Sequence, residues 1–167
     1  MAILASEIKE YRSTFSNSGI DSLGGAITGT EIVDNTTHNI WDVVSSTESN
    51  SGDTEYRCIY VKNTNATLTL QSPKVWIATN TPSTDTSVEI GLGSSAVNGV
   101  EQTVANESTA PTSVTFSTAA GEGNALTFAD LPNGQHKAIW IKRIIGATAG
   151  AYNDDNYVLS YAGDTAA

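Results

Sequence analysis

The sequence predicts an all-β protein built as a two-sheet antiparallel sandwich, of jelly-roll or immunoglobulin-like wiring. The first observation is composition: the 167 residues include 22 Thr, 18 Ser and 13 Asn. These side chains compete for backbone hydrogen bonds in helix interiors and suit strands and turns. The second is a series of about seven or eight short alternating segments, separated by Gly, Pro, Asn and Ser, which is typical of sandwiches. The pattern does not distinguish the two wirings.

The clearest strand is the segment 55–63, EYRCIYVKN, in which apolar and aromatic residues alternate over nine positions. Arg57 falls on the same face as the apolar Ile59 in this alternation. The segment 136–145 carries apolar residues on both faces around Ile139–Ile141, which predicts a central strand. In the segment 67–79, Pro73 cannot donate to a ladder and predicts a bulge, an edge or a bend. Further strands are predicted at 5–13, 86–93, 101–105, 114–118, 125–131 and 156–163, with the rest of 93–112 as a surface loop.

The N-terminal segment differs in composition from the rest of the chain, because apolar residues are sparse between residues 14 and 50. A segment this poor in core residues does not stand as its own domain. We therefore divide the chain into an extended arm with short strands, residues 1–51, and a β-sandwich domain, residues 52–167. The arm either wraps its own sandwich or reaches a neighbouring subunit. Its predicted assembly anchors are the apolar residues Ile40, Trp41, Val43 and Val44.

Charge and hydropathy exclude several classes of partner. With 8 Lys and Arg against 18 Asp and Glu, the net charge is −10. Nucleic-acid binding uses clustered Lys and Arg, so neither DNA nor RNA is an expected partner. The N-terminus has no signal-peptide pattern and no apolar run is long enough for a transmembrane helix. We expect a protein made in a reducing cytoplasm, with no membrane partner.

No residue pattern predicts catalysis, a metal centre or a cofactor. His38 and His136 lie in no nucleophile or zinc motif, and the single cysteine, Cys58, alternates with tyrosines as a buried residue would. The loop Asn153–Asn156 is interpreted as a turn, although its oxygens leave Ca²⁺ binding open. The three tryptophans, Trp41, Trp76 and Trp140, favour sheet packing over a carbohydrate platform.

A series of short motifs carries a resemblance that extends over nearly the whole chain, from MAILASEIK onward. The motifs are, in order, GGAITGTEI, NIWDVVSSTES, GDTEYRCIYVKN, TLTLQSPKVWI, VANESTAPTSVTF, LPNGQHKAIWIKR and AGAYNDDNYVL. In this order they resemble a family of small β-rich virion proteins of tailed bacteriophages.

The resemblance implies a noncatalytic structural protein of the virion. The first expectation is a capsid decoration, or cement, protein that binds the lattice of the major capsid protein as a homo-oligomer. A tail, collar or baseplate component is the second expectation. A carbohydrate-binding module using an exposed Trp and the carboxylates around Asp154 is the alternative from another class. The resemblance assigns no role to individual residues.

Overall fold

The computed structural model describes residues 2–17 and 19–165. Their strands, in chain order, are β1 (Ile8–Ser13), β2 (Gly24–Gly25), β3 (Ile27–Glu31), β4 (Asp53–Asn63), β5 (Leu70–Thr79), β6 (Thr86–Leu92), β7 (Glu101–Thr103), β8 (Leu126–Thr127), β9 (His136–Ile145) and β10 (Val158–Thr165). One short α-helix, α1 (Ser46–Ser51), precedes β4, and single 3₁₀ turns lie at Ala5–Glu7 and Glu122–Asn124.

The strands form antiparallel sheets in a sandwich-like arrangement, which confirms the predicted fold class. The larger sheet has the order β3-β1-β4-β9-β6, and the smaller has the order β10-β5-β8. A two-stranded ribbon pairs β2 with β7. We call the face of the larger sheet that packs on the smaller sheet its inner face, and the opposite face its outer face.

The main core lies between the two larger sheets and is built from β-branched residues. Ile59 of β4 pairs with Ile139 of β9, and both are fully buried. They pack in one apolar cluster with Val75 and Ile77 of β5. Each such side chain contributes about 1.5–3 kcal/mol through its removal from water. Residues 138–141 of β9 are fully buried on both faces, so the predicted central strand is confirmed.

The outer face of the larger sheet is also covered. Cys58, Tyr60 and Trp140 lie on this face and are fully buried, and they pack with Leu23 and Val104. The cover comes from the loops on either side of β2 and β7. The predicted strand at 101–105 contains β7 and Val104, and the rest of 93–112 is irregular and mostly exposed, as predicted for a surface loop. That the strand covers the aromatic residues on the outer face of β4 and β9 was not predicted, because a local pattern does not reveal what an apolar face packs against.

Gly24 allows this cover to approach closely. Its φ of +97° lies in a region that L side chains rarely adopt, and an added Cβ would lie 1.8 Å from the carbonyl oxygen of Gln102. The ribbon of β2 and β7 therefore requires a glycine at this position.

The described residues of the segment 1–51 contribute strands to the sheets. β1 lies between β3 and β4 in the larger sheet, with Tyr11 opposite Tyr60. Within one chain, β1 and β3 of this segment therefore pack as part of the larger sheet. The helix α1 was not predicted. Its signal is a capping box, in which Ser45 accepts from the backbone N–H of Glu48 and Glu48 accepts from the N–H of Ser45.

Two weak strands of the second half are shorter than predicted. The segment 114–118 forms only an isolated bridge, Ser117 with Ile90, and β8 has two residues of the predicted 125–131. The prediction at Pro73 is confirmed as a bulge within β5, where the register with β10 shifts between Lys74 and Gln71. Short strands of this kind depend on tertiary neighbours more than on local pattern.

A buried carboxylate fixes the loop between β6 and β7. Glu101 is 3% exposed and accepts hydrogen bonds from Ser94 and from the backbone N–H of Ser95. Burial alone would disfavour its charge, but these hydrogen bonds and Gln102 outweigh burial and lower the pKa of Glu101 to about 2.

This carboxylate should make stability depend on pH. Because the folded-state pKa lies below the ordinary value of 4.5, the stabilisation is complete above about pH 4.5 and is lost as the pH falls toward 2. We expect Glu101→Gln to cost about 2 kcal/mol at pH 7 and progressively less below pH 4.5. Urea unfolding from pH 3 to 7 measures this, with the half-exposed Glu89→Gln as control. Equal pH profiles for wild type and Glu101→Gln would contradict it.

Candidate functional site: a strap held by three arginines

The segment from residue 33 to 44 connects β3 to α1 without regular secondary structure, and we call it the strap. Asn35 and His38 have φ of 57° and 54°, which fits the turns that the strap makes. The strap packs against the inner face of the larger sheet, where Ile40 and Trp41 contact the main core. It therefore covers a part of that face with irregular chain.

Three arginines from adjacent strands hold the backbone of the strap. Arg12 of β1, Arg57 of β4 and Arg143 of β9 share the inner face, by their alternation with apolar residues and their register. Their guanidinium groups donate to the carbonyls of Asn39, Ile40 and Asp42, respectively. The Arg57–Ile40 distance is 3.2 Å and the Arg143–Asp42 distance is 3.1 Å. A guanidinium has five donors in a fixed plane, so it can bind a carbonyl and a carboxylate together.

Trp41 lies between two of these arginines. The guanidinium carbons of Arg57 and Arg143 lie 4.9 Å and 4.7 Å from the centre of its ring system. Cations at this distance from an aromatic face are attracted by its quadrupole, and the effect grows when water is excluded. Because Arg57 is fully buried, the ring also shields its charge from solvent.

Carboxylates compensate the two guanidinium charges. Arg57 pairs with Glu107, with Asp21 at 3.2 Å and with Asp42 at 3.6 Å. Arg143 pairs with Glu55. A buried ion pair gives little net stability, but removal of one partner leaves an uncompensated charge and is strongly destabilising. The cluster therefore makes the strap's position depend on every member.

Burial raises the pKa of the Glu55 carboxyl, and its hydrogen bond with Arg143 opposes this only in part. Burial likewise raises the pKa of Glu10, whose carboxylate accepts a 2.6 Å hydrogen bond from the Tyr161 hydroxyl. The inner face at this position is thus ionic and aromatic, in contrast to the aliphatic core beside it.

The predicted assembly anchors divide into two groups. Ile40 and Trp41 pack on the core, and Val44 is half-buried. Val43 is 67% exposed, so its side chain is presented to solvent.

The other singled-out residues lie apart from the strap's anchor, except for His38, which is exposed on the strap itself. His136 packs edge-on against Tyr60 at 4.9 Å, and burial lowers its pKa. Cys58 is fully buried and forms no disulfide. In the loop Asn153–Asn156, the Asp155 carboxylate accepts hydrogen bonds from the backbone N–H of Ser83 and the hydroxyl of Thr86.

Sequence reasoning did not identify the arginines as a unit. The available signal was a positive charge on the apolar face of two predicted strands, at Arg57 and Arg143. Such a charge is rarely buried without partners, so it indicates a buried ion cluster. The partners Asp21 and Glu107 lie in irregular segments, and only the fold brings them to β4.

No family model, curated protein or solved structure matches this chain. None of the helices formed by residues 2–17 and 19–165 is long and apolar enough to cross a membrane.

Proposed function

We propose that this protein is a noncatalytic structural protein of a tailed-phage virion, a decoration protein that binds the lattice of the major capsid protein. The observation that carries the proposal is the exposed apolar surface of the strap. Val33 and Val43 are 58% and 67% exposed, on a segment whose backbone is held from beneath by buried arginines. The sequence resemblance to small virion proteins supports the same assignment.

The strap suits such a contact for a physical reason. A side chain on a fixed backbone loses less conformational entropy on binding than one on a free arm. A repeated lattice multiplies weak contacts when the binding protein is oligomeric. The remaining surface is acidic, with a net charge of −10, which keeps the free protein soluble. We assign the strap, rather than the whole segment 1–51, as the contact.

Binding to purified, undecorated capsid shells tests the proposal. We expect Val43→Asp to weaken shell binding by at least about tenfold, because it places a charge in an apolar contact. Val100→Asp is the matched control, since Val100 is 69% exposed outside the strap. Both variants should unfold at the wild-type urea concentration.

Three results would contradict the proposal. The first is that the wild-type protein does not bind shells, and the second is that Val43→Asp and Val100→Asp weaken shell binding equally. The third is that the protein labels tails instead of shells under negative stain. The last result would assign the protein to the tail, collar or baseplate. Deletion of residues 1–51 is not a suitable test, because it removes β1 from the larger sheet.

One observation favours the second candidate, a carbohydrate-binding module. Trp140 is fully buried and Trp41 lies between arginines, whereas Trp76 is part-exposed on the solvent side of β5. A polar surface groove lies on the same side of β5, lined by Ser72, Lys74, Glu122, Thr127, Ala162, Gly163 and Asp164. Quenching of Trp fluorescence by a glycan, absent in Trp76→Phe, would support this candidate, and flat titrations across a glycan panel would remove it.

A further inference from the structure

Two groups of three carboxylates meet at Glu55. In each group, one oxygen of every member lies within 4.8 Å of the others. The first group joins Glu55 to Asp42 and Glu107, and the second joins it to Glu48 and Asp53. The two groups differ in how their negative charge is compensated.

The protein's own cations compensate the first group. Arg57 pairs with Asp42 and Glu107, and Arg143 pairs with Glu55 and Asp42. A metal ion there would be repelled by two guanidinium groups. This group is therefore part of the strap's anchor.

The second group has no such compensation at two of its three members. Among residues 2–17 and 19–165, neither Glu48 nor Asp53 is in an ion pair with Lys, Arg or His within 4 Å. Glu48 accepts from the backbone N–H of Ser45 at 2.6 Å, and Asp53 accepts from the N–H of Thr54 at 2.7 Å. Each carboxylate retains further acceptor capacity, because its two oxygens offer about four lone-pair sites.

A second, independent observation comes from the hydrogen bonds of Glu55. Its Oε2 accepts from Arg143, but its Oε1 is buried and has no hydrogen-bond partner. The residue is fully buried. A buried carboxylate oxygen without a donor is costly, and native proteins satisfy such atoms with a donor, a water or an ion.

We propose that Glu48, Asp53 and Glu55 bind a Ca²⁺ ion at the junction of α1 and β4. The donor set consists only of carboxylate oxygens, which hard cations prefer. Ca²⁺ suits the group better than Mg²⁺, because Ca²⁺ tolerates irregular geometry and takes several carboxylates, while Mg²⁺ retains most of its water. Glu48 and Asp53 are half-buried, so water can complete the coordination.

The ion would join the helix that ends the strap to a central strand of the larger sheet. Glu48 belongs to α1, and Asp53 and Glu55 are the first and third residues of β4. Ca²⁺ would then stabilise the folded state by mass action.

Thermal unfolding of EDTA-treated, dialysed wild-type protein tests the proposal, together with calorimetric titration with CaCl₂. We expect the melting temperature to rise by roughly 5–10 °C when free Ca²⁺ exceeds its Kd about 100-fold. Choline chloride at equal ionic strength should give no comparable rise. MgCl₂ should give a smaller rise than CaCl₂ at equal concentration.

Glu48→Gln and Asp53→Asn are the diagnostic variants. Each keeps an acceptor oxygen for its backbone N–H and removes one charge. We expect each to reduce Ca²⁺ affinity by at least about tenfold, whereas Asp154→Asn, an exposed loop variant with the same charge change, should bind like wild type. The proposal would be overturned if titration of the wild-type protein gave no binding heat and no rise in melting temperature up to 5 mM CaCl₂, a concentration on the order of the Kd of the weakest protein Ca²⁺ sites. Unchanged binding in both diagnostic variants would also overturn it. These measurements use no capsid shells, so they are independent of the proposed function.

Discussion

Replacement of Arg57 by Met should lower the free energy of unfolding by about 3–5 kcal/mol, the usual cost of breaking a buried ion pair by removing one partner. Met has a similar length and keeps the apolar packing, so the loss isolates the guanidinium group. The variant leaves Glu107 and Asp21 without their shared cation. It also removes the hydrogen bond to the carbonyl of Ile40. Urea unfolding at pH 7 measures the effect.

Two comparisons separate charge from geometry at this position. Arg57→Lys retains the charge but not the planar guanidinium group that binds a carbonyl and carboxylates together. It should therefore lower the free energy of unfolding, but by less than Arg57→Met does. Lys74→Met, which removes a part-exposed ion pair with Glu122, should cost less than about 1 kcal/mol. A cost for Arg57→Met as small as that for Lys74→Met would show that the cluster does not hold the strap.

Replacement of Trp41 by Ala should cost about 3 kcal/mol and loosen the strap more than the sheets. The ring packs on the main core and covers the guanidinium groups of Arg57 and Arg143. Its removal admits water to both charges. Hydrogen exchange measures the result residue by residue, and we expect faster exchange in residues 33–44 with little change in β4 and β9.

Trp41→Phe tests the role of the aromatic face, because it keeps a ring while reducing its size. It should recover a part of the stability lost in Trp41→Ala. Trp76→Phe is the matched control on the solvent side of β5 and should change stability by less than about 1 kcal/mol. An equal increase in hydrogen-exchange rate in the strap and in β4 on replacement of Trp41 by Ala would contradict a local role for Trp41. The same variants also test the proposed function, which predicts that a loosened strap binds capsid shells more weakly than the wild-type strap.

Local pattern predicted the strongest strands because their alternation reflects burial on two faces. The segment 136–145 was predicted with the bounds that β9 has, and 55–63 is contained in β4. Both strands bury β-branched side chains. These residues favour extended backbone and are also apolar, so both properties favour a buried strand. The predicted break at Pro73 appears as a bulge because proline has no N–H for the ladder.

The partners of those strands were not predictable in the same way. β1 lies between β3 and β4 in the larger sheet, although its six residues IKEYRS carry few apolar side chains. Arg12 on this strand is half-buried because it binds backbone carbonyls, including that of Asn39, 27 residues away. Local hydropathy cannot predict the burial of a charged side chain whose hydrogen-bond partners are backbone carbonyls far away in the sequence.

The sequence by itself determined the fold class, the two central strands and the face of β4 on which Arg57 lies. Only the tertiary structure decided what surrounds that face: Trp41 from the strap, Asp21 and Glu107 from two loops, and Glu48 from a six-residue helix near Glu55. The physical reason is the distance along the sequence over which each feature is set. Alternation along a strand is set by neighbours two residues apart, whereas compensation of a buried charge depends on groups that long loops bring together, and those groups leave no periodic trace in the chain.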